Sequence, residues 1–268
     1  MKDLRDKVAV ITGGASGIGF ASAEALAQEG AKLVLADIEA KSLDAGVAKL
    51  RSRGADAIGV VTDVTDRKAV EALADASWKH YGRADVVFNN AGVAVAGAVA
   101  SMTHEDWRWV IDVDLWGVIH GVEAFVPRLV DQKQGGHVLA TASFAGLVPN
   151  VGLGAYCVAK YGVVALMEVL HRELRAHEIG SSVLCPMRVR TAIDDSGRNR
   201  QADYGGPEAQ HYPKIEDGQM AGRVIAVEEV AALVVDGIRR NRLYLLPHEE
   251  SRAMIRRRFE RIDRAFEE

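Results

Sequence analysis

The strongest constraint on the fold lies near the start of the chain. Val8-Ala9-Val10-Ile11 is a short apolar run, and Thr12-Gly13-Gly14-Ala15-Ser16-Gly17-Ile18-Gly19 follows it directly. A helical pattern begins near Gly17 and continues to Gln28, closed by Gly30. A continuous apolar run bounded by glycine suits a parallel strand buried on both faces. Glycines between strand and helix let the backbone approach a ligand closely. The helix N-terminus then presents free N–H groups to an anion such as a pyrophosphate.

The alternation persists. Strands are expected at 32–36, 56–61, 84–88, 136–142, 181–185 and 243–246. Helices are expected at 40–53, 66–81, 104–131, 155–178, 226–240 and 249–266. Strands separated by helices imply right-handed crossovers. The fold class is therefore α/β, a Rossmann-type doubly wound parallel sheet of seven strands with helices on both faces. No internal repeat or interdomain linker interrupts the 268 residues, so one domain spanning 1–268 is expected. The segment 192–222 breaks the rhythm. It holds Asp194-Asp195, Gly205-Gly206-Pro207 and Pro213, with few apolar residues. Such a stretch within a domain suits a substrate lid, mobile without ligand.

Composition narrows the function. The formal net charge of -4 gives no broad attraction to nucleic acid. Arginines crowd the last helix, at 252, 256, 257, 258, 261 and 264, but Glu260, Asp263, Glu267 and Glu268 lie among them. With Ile255, Phe259, Ile262 and Phe266 at helical spacing, this reads as a solvated amphipathic helix. No apolar run is long enough for a bilayer, and no metal site is expected. Met1–Lys7 leads straight into a strand, and the only cysteines, Cys157 and Cys185, fit a reduced chain. A cytoplasmic enzyme is the expectation.

Two groups of residues carry chemistry. Asp37 ends the second strand, eighteen residues after Gly19. An acid there can accept hydrogen bonds from ribose hydroxyls and repel a 2′-phosphate, and Ala36, Ile38 and Ala15 supply no cation. NAD is favoured over NADP. Asp63-Val64, after the third strand, is placed where an acid could meet an adenine amino group. The second group is Ser143, Tyr156 and Lys160. Tyr156 and Lys160 lie four residues apart, on one helix face. An alcohol gives up hydride only as its proton leaves, so a base must be near. Tyrosine titrates at about 10 in isolation, and a neighbouring ammonium favours the phenolate. A two-unit shift needs roughly 2.7 kcal/mol, which a partly desolvated ion pair can supply. Ser143 is suited to hydrogen-bond the substrate oxygen. A methyltransferase could share the glycine turn and the acid, but it has no need of Ser143, Tyr156 and Lys160 together.

Over nearly its whole length the chain resembles the short-chain dehydrogenase/reductases. The matching segments are Thr12–Gly19, Asn89-Asn90-Ala91-Gly92, Ser143, Tyr156-x-x-x-Lys160 and Pro186-x-x-Val189-x-Thr191. The resemblance implies that Ser143, Tyr156 and Lys160 are catalytic. It implies that Gly13, Ser16, Gly17, Ile18, Gly19, Asn90, Ala91 and Gly92 border the cofactor. Pro186, Val189 and Thr191 would lie at its nicotinamide end, and Lys160 would hold the nicotinamide ribose. The family usually carries an asparagine in the long middle helix; here the matching position is Asp114, named as a catalytic helper. Met187 stands where glycine commonly follows Pro186.

The expected substrate is a hydrophobic secondary alcohol or ketone. Val93–Ala98, Phe144–Leu153, Met187 and Arg188 are expected to wall its pocket, with no paired basic residues placed for a carboxylate. A 3-oxoacyl thioester reductase is the enzymatic alternative, and a dinucleotide-sensing regulator the non-enzymatic one. The family implies a homo-oligomer, a tetramer ahead of a dimer. Trp116, Ile119, Val164 and Met167 are expected on the pairing helices, and the stripe from Ile255 to Phe266 offers another surface.

Overall fold

A computed structural model describes residues 1–209 and 222–267. One sheet organises them. Its strands are β1 (Val8–Thr12), β2 (Lys32–Asp37), β3 (Ala57–Val61), β4 (Val86–Asn89), β5 (Gly136–Thr141), β6 (Ile179–Leu184) and, after the separate short strands β7 (Arg188–Val189) and β8 (Val224–Ile225), β9 (Tyr244–Leu245). The order is β3-β2-β1-β4-β5-β6-β9, with every pairing parallel. The seven-stranded doubly wound sheet expected from the sequence is present. The order reverses between β1 and β4, and such a switch point opens a crevice at the strand C-terminal ends.

Alternation within β1 explains the two-sided core. Val8 and Val10 face one apolar cluster, while Ala9 and Ile11 face the other. The first cluster lies under α3 (Arg67–Tyr81), α4 (His104–Ile111), α5 (Gly117–Gln132) and α6 (Gly154–Glu173). The second lies under α1 (Gly17–Gln28), α2 (Ala40–Ser52) and α7 (Val227–Arg240). The last helix, α8 (Ser251–Arg264), buries only Ser251, and Phe259, Ile262 and Phe266 are exposed.

Three sequence expectations need correction. The helix expected at 104–131 is two helices joined by a wide π turn, Asp112–Trp116. A π turn accommodates an extra residue and re-aims its side chains. Here it turns Asp114 fully inward while Trp116 stays exposed. Next, α6 stops at Glu173 and a 3₁₀ turn, Leu174–His177, finishes the segment expected to be helical to 178. Finally, Val164 and Met167 do not present themselves for pairing, because both are buried in the first cluster. The exposed apolar residues of α6 are Val158 and Val169.

The irregular segment has more structure than its composition implies. Short strands β7 (Arg188–Val189) and β8 (Val224–Ile225) pair in parallel and bracket it. Between them, Ile193–Asn199 and Ala202–Tyr204 are 3₁₀ turns, and Ser196, Arg200 and Tyr204 are buried. Pro213 lies outside the described residues.

Candidate active site

The glycine turn is shaped by close approach. Gly13 has φ of 61°, where L side chains are strained, and a Cβ there would lie 2.8 Å from Ala91 Cα. Gly19 does not border the cleft; a Cβ on it would collide with the Gly13 carbonyl oxygen at 2.1 Å. Its role is packing of α1 against the turn. Asn90 fastens this turn to the sheet. Its Nδ2 donates to the carbonyls of Thr12 (3.1 Å) and Gly13 (3.2 Å), and its Oδ1 accepts from Thr141 Oγ1 (2.9 Å). Ser16 is the N-cap of α1 but makes no side-chain bond to the helix.

Gly13, Ser16, Gly17, Ile18, Asp37, Asp63, Val64, Asn90, Ala91, Gly92 and Thr191 line one cleft, which ends against Tyr156 and Lys160. Asp37 accepts from the backbone N–H of Ala15 and of Glu39, each at 3.0 Å. Asp63 accepts from Thr65 and, through Oδ2, from Gln201 Nε2 at 2.7 Å. Glu39 accepts from Asn199 (2.7 Å) and Arg198 (2.6 Å). The Asn199 amide, aided by Arg198, holds the Glu39 carboxyl below its ordinary range. A cation therefore does border the cleft near Asp37, supplied from far downstream and already paired.

The polar group expected for catalysis converges where this cleft meets a second cavity. β5 and the turn Phe144–Gly146 place Ser143, whose Oγ accepts from Ala145 N–H at 3.1 Å. Tyr156 and Lys160 project from α6, with Nζ 5.4 Å from the tyrosine ring centroid. Lys160 is almost wholly buried. Its Nζ donates to the Thr141 carbonyl at 3.1 Å and lies 3.5 Å from Asp114 Oδ2. Asp114 Oδ1 accepts from the Val93 N–H at 2.8 Å. Burial pushes the Asp114 carboxyl above the usual range, against the pull of Lys160 and the Val93 N–H. Burial also raises the Tyr156 phenol, with the Asp114 charge adding to the rise and a hydrogen bond from Ser143 opposing it. Gly92 is required here, because a Cβ would come 3.2 Å from Asp114 Oδ1 and 3.4 Å from Lys160 Nζ.

The second cavity is lined by Val95, Ala96, Phe144, Leu153 and Met187, with Ser143 and Tyr156 in its wall. Leu147 and Val148 do not line it; Leu147 packs against the first core cluster. Pro186 and Val189, expected beside the cofactor, line this cavity, and Thr191 borders both. No paired basic residues are expected from the sequence for a carboxylate, yet Arg190, Arg198 and Arg200 line the cavity beside the expected Arg188. Met187 is held from behind by buried His248. Nδ1 of His248 accepts from the Met187 N–H at 3.2 Å, and Nε2 donates to the carbonyls of Arg188 (3.2 Å) and Arg223 (3.1 Å).

The sequence reading missed Glu39, Thr141, Asn199 and Gln201, all of which border the first cleft. Thr141 and Glu39 each lie two residues from a named position and could have been found. The other two carry no motif.

A short chain dehydrogenase family model matches residues 7–202. The chain belongs to the short chain dehydrogenase family. This short-chain dehydrogenase is 35% identical to C alpha-dehydrogenase of a Sphingobium species, over 98% of this chain and 87% of the relative. It is 34% identical to 1-deoxy-11-beta-hydroxypentalenate dehydrogenase of Streptomyces exfoliatus, over 96% and 88%. Among solved structures, a short chain dehydrogenase/reductase from Burkholderia phymatum in complex with NAD superposes with a TM-score of 0.90. That protein is 38% identical, and the match covers 98% of this chain and 96% of that one. The protein is thus an oxidoreductase of this family. No described helix is long and apolar enough to cross a membrane.

Proposed function

We propose that this oxidoreductase transfers a hydride between NAD(H) and a hydrophobic secondary alcohol or ketone. The observation carrying the proposal is the meeting of Ser143, Tyr156 and Lys160 at the junction of a glycine-lined cleft and a cavity whose wall beside Ser143 and Tyr156 includes Phe144, Leu153 and Met187. The cleft residues suit a dinucleotide: Gly13, Gly17 and Gly92 line it, and the α1 N-terminus is free of a side-chain cap. Asp37 and Glu39 suit an unphosphorylated ribose. The NAD complex of the Burkholderia relative supports the same choice. The names of the two dehydrogenase relatives support alcohol chemistry.

When bound, the nicotinamide accepts or donates the hydride. The chain manages the proton and the position. Tyr156 takes the alcohol proton in oxidation and returns it in reduction. Lys160 stabilises the phenolate by its charge and orients the nicotinamide ribose. Ser143 donates to the substrate oxygen as charge develops there. Asp114 holds Lys160 and the Val93 backbone, acting through them. Phe144, Leu153 and Met187 exclude water from the substrate. A 3-oxoacyl thioester reductase on the same site is the second reading. Asp37 disfavours it, because that chemistry usually draws on NADPH. Exposed Trp116, Val158 and Val169 supply apolar area for a homo-oligomer, with a tetramer ahead of a dimer.

The test is a panel of secondary alcohols assayed with NAD and with NADP, following absorbance of the reduced cofactor. Higher kcat/KM with NAD is expected. Preference for NADP would overturn the cofactor assignment, and Asp37→Ala should narrow the discrimination.

A further inference from the structure

The contacts of Ile193–Tyr204 fall into two groups with different strengths. Near its end the segment is anchored in the core. Arg200 Nη1 pairs with Asp106 at 2.6 Å, both buried, and Arg200 Nε donates to the Tyr204 carbonyl. Tyr204 Oη donates to Asp112 at 2.9 Å. The other group lies on the dinucleotide cleft. Arg198 and Asn199 hold Glu39 just beyond β2, and Gln201 holds Asp63 just beyond β3. The side chains of Arg198 and Glu39 are 41% and 28% exposed.

We propose that this segment is a latch on the adenosine half of the cleft, and that Arg198, Asn199 and Gln201 set how long the dinucleotide stays bound. The inference rests on the NAD reading above. Asp37, Glu39 and Asp63 mark that half, and Ser196, Arg198, Asn199 and Gln201 close its wall. The three latch residues thus join the sheet ends that carry the expected adenosine contacts. Breaking a buried, saturated pair is costly, whereas a half-exposed pair opens readily. The arm therefore opens at its Glu39 contact while Arg200 stays fixed, and Asp63 is released by the Gln201 side chain alone. The arm also continues directly from Thr191, so it connects the adenosine contacts to the substrate cavity that Ile193 and Arg198 border as well.

The test is stopped-flow displacement from the full-length protein, using three probes: NADH, ADP-ribose and reduced nicotinamide mononucleotide. The variant is Arg198→Ala with Asn199→Ala and Gln201→Ala. NADH and ADP-ribose should dissociate roughly tenfold faster than from wild type, since several weak contacts are lost together. The mononucleotide, which has no adenosine, should leave at the wild-type rate. Arg198→Ala alone, at an exposed position, should give roughly a threefold acceleration and guards against misfolding of the triple variant. Unchanged rates for NADH and ADP-ribose would overturn the latch. So would equal acceleration of the mononucleotide, which would locate the effect elsewhere in the cleft. If wild-type protein bound neither NADH nor ADP-ribose, the NAD reading itself would fall.

Discussion

Two buried ion pairs draw their carboxylates from the same stretch of chain, yet they are built differently. Asp106 on α4 meets Arg200 at 2.6 Å, and Asp114 in the π turn meets Lys160 at 3.5 Å. The first pair is saturated. Arg200 also bonds the Tyr204 carbonyl and lies 5.2 Å from the Trp109 ring centroid, while Asp106 closes a capping box with Thr103. The second is open. Asp114 Oδ2 has no hydrogen bond among the described residues, and its carboxyl is raised by burial. Saturation makes an anchor, because every donor and acceptor is lost together when one partner goes. Incomplete pairing leaves a site whose charge can change, which is what the proposed proton transfer at Tyr156 needs.

Substitutions can break this comparison. The largest effect should fall at the open site. Tyr156→Phe should lower turnover by roughly 10²–10⁴-fold with NADH binding largely retained, as removal of a proton-transfer group does. Lys160→Ala should damage turnover and NADH binding alike. Steady-state kinetics beside fluorescence titration separates the two; near-wild-type turnover in Tyr156→Phe would end the proposed mechanism.

The saturated pair should show its effect in stability. Arg200→Ala strands the buried Asp106 carboxylate and should cost about 3–5 kcal/mol, lowering Tm by roughly 10 °C. Calorimetry checks this, and an unchanged Tm would mean that the pair is no anchor.

Asp114→Asn should have a smaller effect, visible in pH dependence. Oxidation needs the Tyr156 phenolate, so its rate rises with pH through the tyrosine pKa. The Asp114 charge raises that pKa. Removing the charge should move the ascending limb of kcat/KM to lower pH. A limb that stays in place or moves upward contradicts the electrostatic role.

The smallest effect concerns the arm. Hydrogen exchange across 192–209 should slow further when NAD and a substrate analogue bind together, and less with NAD alone. Because Arg200 anchors the arm already, the slowing should concentrate at 196–201. Equal protection in free and ternary states would show a fixed wall.

The sequence displayed the parts of this site that are local. The glycine turn, the strand ends carrying Asp37 and Asp63, and Tyr156 with Lys160 all follow from short spacings that the backbone converts into one edge or one face. What it concealed depends on distance along the chain or on a break in periodicity. Arg198 and Asn199 reach Glu39 across 159 and 160 residues, and no pattern announces such a contact. The π turn sits inside a stretch that is apolar on most sides, so 3.6-residue periodicity runs through it unmarked. Burial of Val164 and Met167 was hidden similarly, since an apolar residue on a doubly covered helix fits core and interface equally well.

The tether of Met187 to His248 bears on how separable the parts of this enzyme are. The cavity wall at 186–190 lies within the region shared with the family model, whereas the imidazole that supports it lies beyond residue 202. A chimera that imports a relative's 186–190 and keeps this C-terminal segment inherits a histidine fitted to another backbone. One that replaces the C-terminal segment and keeps Met187 loses the acceptor for its N–H. The shape of this cavity wall is therefore a joint property of two stretches some sixty residues apart, transferable only when both travel together.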